Sequence, residues 1–310
     1  MGNEMFGGGR LADFPENAKR FLTAKYVLFI VVIVCLACRM TNVRIACLQW
    51  EFHSLTDESS FWREFEWQLR MAREDYAVDL VILPEYAAAG FPGGWPEQGV
   101  WKDFLLRVAA EQRFWIVGGT MPFPSDRGLL NRCGIAGPQG QWHHQDKLHI
   151  TPWEKNTWNM IGGDKWQVID IGLCKIAVAI CYDVEFPEQI RAYAEAGAEL
   201  LCVPYCTDDV NGHHRVTRCA LARAVENTMY VATAGCVGTL RDREGFAHHH
   251  AQSLIATPCD IGFPMAGIAA RAERGRAQCL VAEIDLTRLR EARTHGTVLP
   301  MKDVRRDLFR

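Results

Sequence analysis

The sequence has no long run of lysine and arginine, no apolar stretch of bilayer length and no second cysteine pair at metal-ligand spacing. Each absence removes a class of protein. With no basic stretch and a formal net charge of −3, nothing is placed to neutralise a phosphate backbone, so no nucleic-acid partner is expected. The apolar run YVLFIVVIVCLAC covers residues 26–38, short of the roughly 20 residues that span a bilayer. Cys35 and Cys38 form a CxxC inside that run, but a zinc site needs further ligands at matching spacing, and no metal or redox role is expected there. There is also no internal repeat, and no Pro/Gly/Ser-rich linker between residues 42 and 295. One domain is therefore expected rather than several.

What is present fits a globular protein. Nearly half of the 310 residues are hydrophobic and 23% are charged, which excludes a disordered chain. The twelve cysteines are scattered through a chain too large to depend on disulfide staples. That pattern suits buried thiols in a reducing compartment, and a cytoplasmic location is expected. Residues 1–39 read as an N-terminal extension to a domain of residues 40–310, with Met40 standing where a natural start would give the whole domain. The alternative is a signal or membrane anchor, with Lys19, Arg20 and Lys25 as its charged flank.

From residue 42 onward, strand-like and helix-like segments alternate. Strands are predicted at 43–49, 79–85, 114–120, 133–138, 174–181, 198–204, 229–235, 253–258 and 279–286, where short apolar runs suit strands covered on both faces. Helices are predicted at 58–76, 98–113, 187–196 and 213–227, where apolar residues recur at three and four. The even spread argues for a layered α/β domain.

Three of these segments lead into a reactive residue. LVILPEY leads to Glu85, WHHQDKLHI carries Lys147, and the strand-like run in AVAICYD ends on Cys181, with a helix opening at Pro187 beyond it. Ligand sites in layered α/β folds collect at the carboxyl ends of strands. Singly, each residue has an ordinary explanation: a loop glutamate, a solvated lysine, a packed cysteine. Brought together they make a working set. The carboxylate takes a thiol proton, the ammonium stabilises thiolate and oxyanion, and the sulfur attacks a carbonyl or nitrile carbon. Amides at the start of the following helix would favour the thiolate as well.

These segments resemble the motifs of the nitrilase superfamily, the carbon–nitrogen hydrolases. LPE with Glu85 is similar to the family's general-base motif, DKLHITPWE to its lysine motif and ICYDVEFPE to its nucleophile motif. LLNRCGIAGPQG, GGDKWQVIDIG, RAVENTMYV and the tail MKDVRRDLF follow in matching order. The resemblance runs from Asn42 to about Phe309. It implies an α/β fold of the four-layer αββα sandwich type, a Glu85–Lys147–Cys181 triad, no metal or other cofactor, and a homodimer or larger homo-oligomer. It further implies a second glutamate near the lysine, for which Glu154 is the candidate. The backbone N–H of Tyr182 is implied as an oxyanion donor beside Lys147, with Tyr182 and Asp183 holding the turn.

Tyr182-Asp183 after the cysteine resembles amidases more than nitrilases, which usually carry Trp-Glu there. Carbamoylases of amino acids often place an arginine shortly after the nucleophile, where this chain has Val184 and Glu185. The expected activity is therefore hydrolysis of a small non-peptide amide through a thioester. An N-carbamoyl amine hydrolase is the alternative, then a nitrilase, then a scaffold that keeps the fold without the activity. Glu185 either meets a substrate cation or caps the helix at Pro187. Tyr86, Phe91 and Trp95 are candidate pocket walls, and Cys206, Thr207, Asp208 and His213 are candidates to reach the pocket. The histidine pairs at 143–144 and 213–214 and the triple at 248–250 are read as solvated loops rather than metal ligands.

Overall fold

A computed structural model of the protein describes residues 42–55 and 57–308. The expectation for residues 1–39 lies outside the described residues. The first half of the domain runs β1 (Asn42–Phe52), α1 (Glu58–Tyr76), β2 (Leu80–Leu83), α2 (Gln98–Gln112), β3 (Trp115–Ser125), β4 (Gly128–Ala136), β5 (Trp142–Asp146) and α3 (Pro152–Trp158). The second half runs β6 (Ile169–Asp170), β7 (Lys175–Val178), α4 (Pro187–Glu195), β8 (Leu200–Tyr205), α5 (Val210–Glu226), β9 (Tyr230–Gly238), β10 (Leu254–Ala256), β11 (Ile268–Arg271), β12 (Gln278–Asp285), α6 (Leu286–His295) and α7 (Pro300–Asp303).

Two sheets result. One has the order β5-β4-β3-β2-β1-β12, with β1, β2 and β3 parallel. The other has the order β6-β7-β8-β9-β10-β11, with β7, β8 and β9 parallel. They join where the last residues of β1 pair with the last residues of β9, Trp50 opposite Cys236 and Phe52 opposite Gly238.

The period-two alternation along β1 decides what lies on each face. Val43, Ile45 and Cys47 share a core with Ile176, Val178, Leu200 and Val231 of the second sheet. Ala46, Leu48 and Trp50 point the other way, onto Phe61, Phe65 and Leu69 of α1 and Leu105 and Val108 of α2. Ile190 and Tyr193 of α4 and Val216, Ala220 and Ala224 of α5 pack on the second sheet. The layers are helices, sheet, sheet, helices: the four-layer αββα sandwich.

Local chemistry sets the helix ends. Asp57 caps α1 by accepting from the Ser60 N–H at 2.9 Å, and Ala77 closes it in the left-handed conformation. The predicted strands and long helices are found within a few residues of their expected ends. Three strands and three helices were not expected. β5 reads WHHQD, too polar for a strand pattern; β6 and β11 are short edge strands; α3, α6 and α7 are short. Among the described residues no helix is long and apolar enough to cross a membrane.

Candidate active site

The carboxyl ends of β2, β7, β8 and β9 converge near the seam between the sheets, and the reactive residues follow them. Glu85 lies two residues beyond β2. Gly119 makes room for it: β3 bulges between Val117 and Thr120, Gly119 has φ +67°, and a Cβ there would run into the Pro84 carbonyl oxygen. Thr120 Oγ1 then accepts from the Tyr86 N–H at 3.0 Å, so β3 pins the turn that carries the glutamate. Lys147 comes one residue after β5. Glu154 comes from the first turn of α3, where it and Thr151 form a reciprocal capping box: Thr151 N–H donates to Glu154 Oε2 at 2.9 Å and Glu154 N–H donates to Thr151 Oγ1 at 3.2 Å. One carboxylate thus caps a helix and binds the lysine.

Glu85 and Lys147 are each only 1% exposed. Lys147 Nζ donates to Glu85 Oε1 at 2.8 Å and to both Glu154 oxygens at 2.8 and 2.9 Å. Asn131, from the middle of β4, donates through Nδ2 to Glu85 Oε1 at 2.9 Å, to Glu154 Oε1 at 3.0 Å and to the Tyr86 hydroxyl at 2.8 Å. Tyr86 OH donates in turn to Glu154 Oε1 at 2.5 Å. The second oxygen of Glu85 accepts from the Cys206 N–H at 3.0 Å. The two carboxylates are therefore fixed in place by donors on several sides.

Cys181 sits three residues past β7 at φ +50°, a left-handed conformation that costs a non-glycine residue about 1–3 kcal/mol. Asp183, fully buried, holds this turn. It accepts from the N–H groups of Ile180 (3.1 Å), Leu148 (3.3 Å) and His149 (2.8 Å). Asp183 thus ties the nucleophile turn to the residues just after Lys147. The Cys181 thiol donates weakly to the Cys206 carbonyl oxygen at 3.8 Å.

The environment moves each titration in a definite direction. Burial raises the Glu85 carboxyl to about 6, against the lowering influence of Lys147. Burial also acts upward on Glu154, but the Lys147 ammonium and the hydrogen bonds from Lys147, Tyr86 and Thr151 outweigh it and hold that carboxyl at about 2. For Lys147, burial opposes the charge, and the two carboxylates more than reverse it, so the ammonium is held well above the usual lysine range. Burial, followed by the Glu85 charge, pushes the Cys181 thiol well up. This corrects the expectation of a thiolate favoured by helix amides. The helix opens only at Pro187, past a 3₁₀ turn over Cys181–Glu185, so the cysteine does not stand at the helix N-terminus.

A cavity of about 550 Å³ opens over these groups. Glu85, Lys147, Cys181, Glu154, Tyr86, Tyr182, Glu185, Cys206, Thr207 and Asp208 line it. Trp95 does not. It lies behind the wall, 5.7 Å from the Tyr86 ring and 6.2 Å from the Phe246 ring, with the Arg243 guanidinium over it. Phe91 packs on Phe61 and Trp62 instead of the cavity, and His213 stacks behind Tyr205. Glu185 neither caps the helix nor stands free for a cation: it pairs with Arg215 at 3.2 Å. The histidines do not gather with other ligands into a group of three that would hold a metal, among the described residues. Sequence reasoning missed Asn131, Trp153, Trp158, Arg215, Phe246 and His249. Asn131 lay inside a segment quoted only for its spacing.

A buried carboxylate, lysine and cysteine thus stand near strand ends of an αββα sandwich, below a cavity of small-molecule size. A family model described as carbon–nitrogen hydrolase matches residues 44–294, and the chain belongs to that family. The chain is 33% identical over 279 residues to Probable hydrolase YhcX of Bacillus subtilis (strain 168), a match covering 86% of this chain and 54% of that protein. It thus spans about half the length of that relative. It is 31% identical over 248 residues to Omega-amidase NIT2-A of Xenopus laevis, covering 75% of this chain and 85% of that one. Saccharomyces cerevisiae Nit3, described as a member of branch 10 of the nitrilase superfamily, has the same fold at a TM-score of 0.71 and 22% identity, over 85% of this chain and 97% of Nit3.

Proposed function

We propose that the protein hydrolyses a small non-peptide amide through a Cys181 thioester. The observation that carries this reading is the Lys147 ammonium, 2.8 Å from Glu85 and 2.8 Å from Glu154, at a cavity that Cys181 also lines. Glu85 takes the thiol proton as Sγ attacks the amide carbon. The Lys147 ammonium and the Tyr182 N–H stabilise the oxyanion of the tetrahedral intermediate. On collapse the C–N bond breaks, and Glu85 returns its proton to the departing nitrogen. Ammonia or an amine leaves, and the acyl group stays on sulfur as a thioester. Glu85 then takes a proton from a water molecule that attacks the thioester, and the carboxylic acid departs with the thiol restored. Glu154 fixes the position of Lys147 and keeps it charged. Likeness to an omega-amidase supports an amide substrate.

The test is ammonia release from a panel of primary amides, N-carbamoyl amines and nitriles. Release from primary amides alone is expected. Release confined to either of the other classes would overturn the amide assignment.

The pH profile follows from Glu85. It must be ionised to act as a base, and its carboxyl is raised to about 6. kcat/KM is therefore expected to fall about tenfold per pH unit below pH 6 and to level off above it. No falling limb is expected through neutral pH, because Lys147 is held well above its usual range. A profile flat down to pH 4.5 would show that Glu85 is not the titrating base.

A further inference from the structure

His249 has no part in the chemistry above, yet it stands in the wall of the same cavity. The backbone puts it there from two sides. Thr207 Oγ1 donates to the His250 carbonyl oxygen at 2.7 Å, and the His250 N–H donates to the Thr207 carbonyl oxygen at 2.9 Å. On the other flank His249 forms an antiparallel bridge with Gly238. The ring meets Phe52 edge-on at 4.8 Å and lies tilted on Phe246 at 5.5 Å. His249 is only 6% exposed, and neither ring nitrogen has a hydrogen-bond partner. The Cys206 thiol and the Gly238 backbone stand beside the ring without forming well-aligned hydrogen bonds to it. A buried polar group left in this condition is costly and calls for an explanation. Here the open side of the ring is the substrate cavity.

The surroundings define what would satisfy it. Cys206 stands beside the imidazole, its carbonyl oxygen is 3.8 Å from the Cys181 sulfur, and His249 and Cys181 line the same cavity. Among the described lining residues Lys147, between Glu85 and Glu154, is committed to the oxyanion of the reacting carbonyl, and Arg215 is engaged with Glu185. Asp208 adds a further negative charge to the wall. A carboxylate on the substrate would thus find lysine and arginine taken and acidic neighbours present, whereas a neutral oxygen meets no such opposition.

We infer that His249 is a specificity-determining residue, which hydrogen-bonds a hydroxyl on the acyl part of the substrate. This rests on the amidase reading above. The preferred substrates are then short hydroxy-acid amides rather than plain alkyl amides. A site built to hydrogen-bond such an oxygen discriminates against the analogue that lacks it.

The experiment uses isosteric pairs: lactamide against isobutyramide, and 3-hydroxybutanamide against 3-methylbutanamide. Wild type is expected to favour the hydroxy member of at least one pair by about tenfold in kcat/KM. His249→Phe keeps a ring for Phe52 and Phe246 to pack on but has no nitrogen, and is expected to bring that ratio to near one. His249→Gln, which retains a donor, is expected to restore part of the preference. If wild type turns over all four amides without preference, or His249→Phe keeps the preference, the inference fails while the amidase reading stands. Should none of the four be turned over, the amidase reading is decided by the wider amide panel above, and binding of the same pairs to Cys181→Ala decides about His249. A hydroxy preference there that His249→Phe removes sustains the inference, and equal binding overturns it. Preference for succinamate over 3-hydroxybutanamide, lost in His249→Phe, would replace the neutral oxygen with a carboxylate.

Discussion

Cys181→Ala is expected to lower turnover by about 10⁴- to 10⁶-fold on any substrate that the wild-type protein accepts, without unfolding it. The sulfur is the atom that would bond to the acyl carbon, so no remaining group at its position can carry the intermediate. Little structure depends on it. Cys181 is 7% exposed, and its side chain makes only weak contacts, with the Cys206 carbonyl oxygen at 3.8 Å and with the Glu85 carboxylate. The turn itself is held by Asp183 through three backbone N–H groups. The stability loss should therefore stay near 1 kcal/mol, as for a small side-chain deletion. Cys206 also lines the cavity, but burial pushes its thiol well up and its own N–H is engaged with Glu85, which leaves it poorly placed to substitute. Ammonia release and urea unfolding, measured on the same preparation, check both halves. Activity within tenfold of wild type would remove Cys181 as the nucleophile.

How much of this site was legible in the sequence depends on which residues local pattern exposes. Glu85 and Cys181 stood out because each ends a strand-like run, and the carboxyl ends of strands meet in a layered fold; Lys147 stood out by its motif, since WHHQD before it lacks a strand pattern. Their motifs carried the family resemblance, and the resemblance added Glu154. Asn131 was invisible in its role. It lies mid-strand in β4, and the two carboxylates and the tyrosine that its amide meets come from the segment after β2 and from α3. His249 read as one of three solvated histidines in a loop. The hydrogen bonds that turn it inward come from Thr207, some forty residues earlier in the chain. Trp95 misled in the opposite sense. An aromatic in a Gly/Pro loop after the base looks like a pocket wall, but Tyr86 occupies that wall with a left-handed backbone and leaves Trp95 behind it. Periodicity reports which face of an element is buried. It does not report which distant element covers that face, and specificity is decided there.

The second large effect is expected at Lys147, in stability and in rate together. Lys147→Met keeps most of the side-chain volume and removes the charge between Glu85 and Glu154. Two buried carboxylates would then face each other with Asn131, Tyr86, the Thr151 hydroxyl and backbone groups as their neutral partners. Breaking a buried ion pair by removing one member costs about 3–5 kcal/mol, because the remaining charge is stranded. The same change deprives the oxyanion of its ammonium, worth about 10²- to 10³-fold in kcat. The two effects separate by pH. In wild type the Glu154 carboxyl is held at about 2 by Lys147 and its hydrogen bonds against the effect of burial. Without the ammonium, burial and mutual repulsion raise both carboxyls above their unfolded values. Groups raised on folding contribute stability that is lost as pH rises through their folded pKa. The deficit of Lys147→Met should therefore be largest at pH 7.5 and should shrink toward pH 5, while the loss in turnover persists at both. Urea unfolding at the two pH values, with ammonia release at each, gives the answer. A deficit unchanged with pH would mean that the carboxylates are not stranded by the substitution. A turnover rate equal to wild type would remove Lys147 from the oxyanion site, leaving the Tyr182 N–H as its remaining proposed donor.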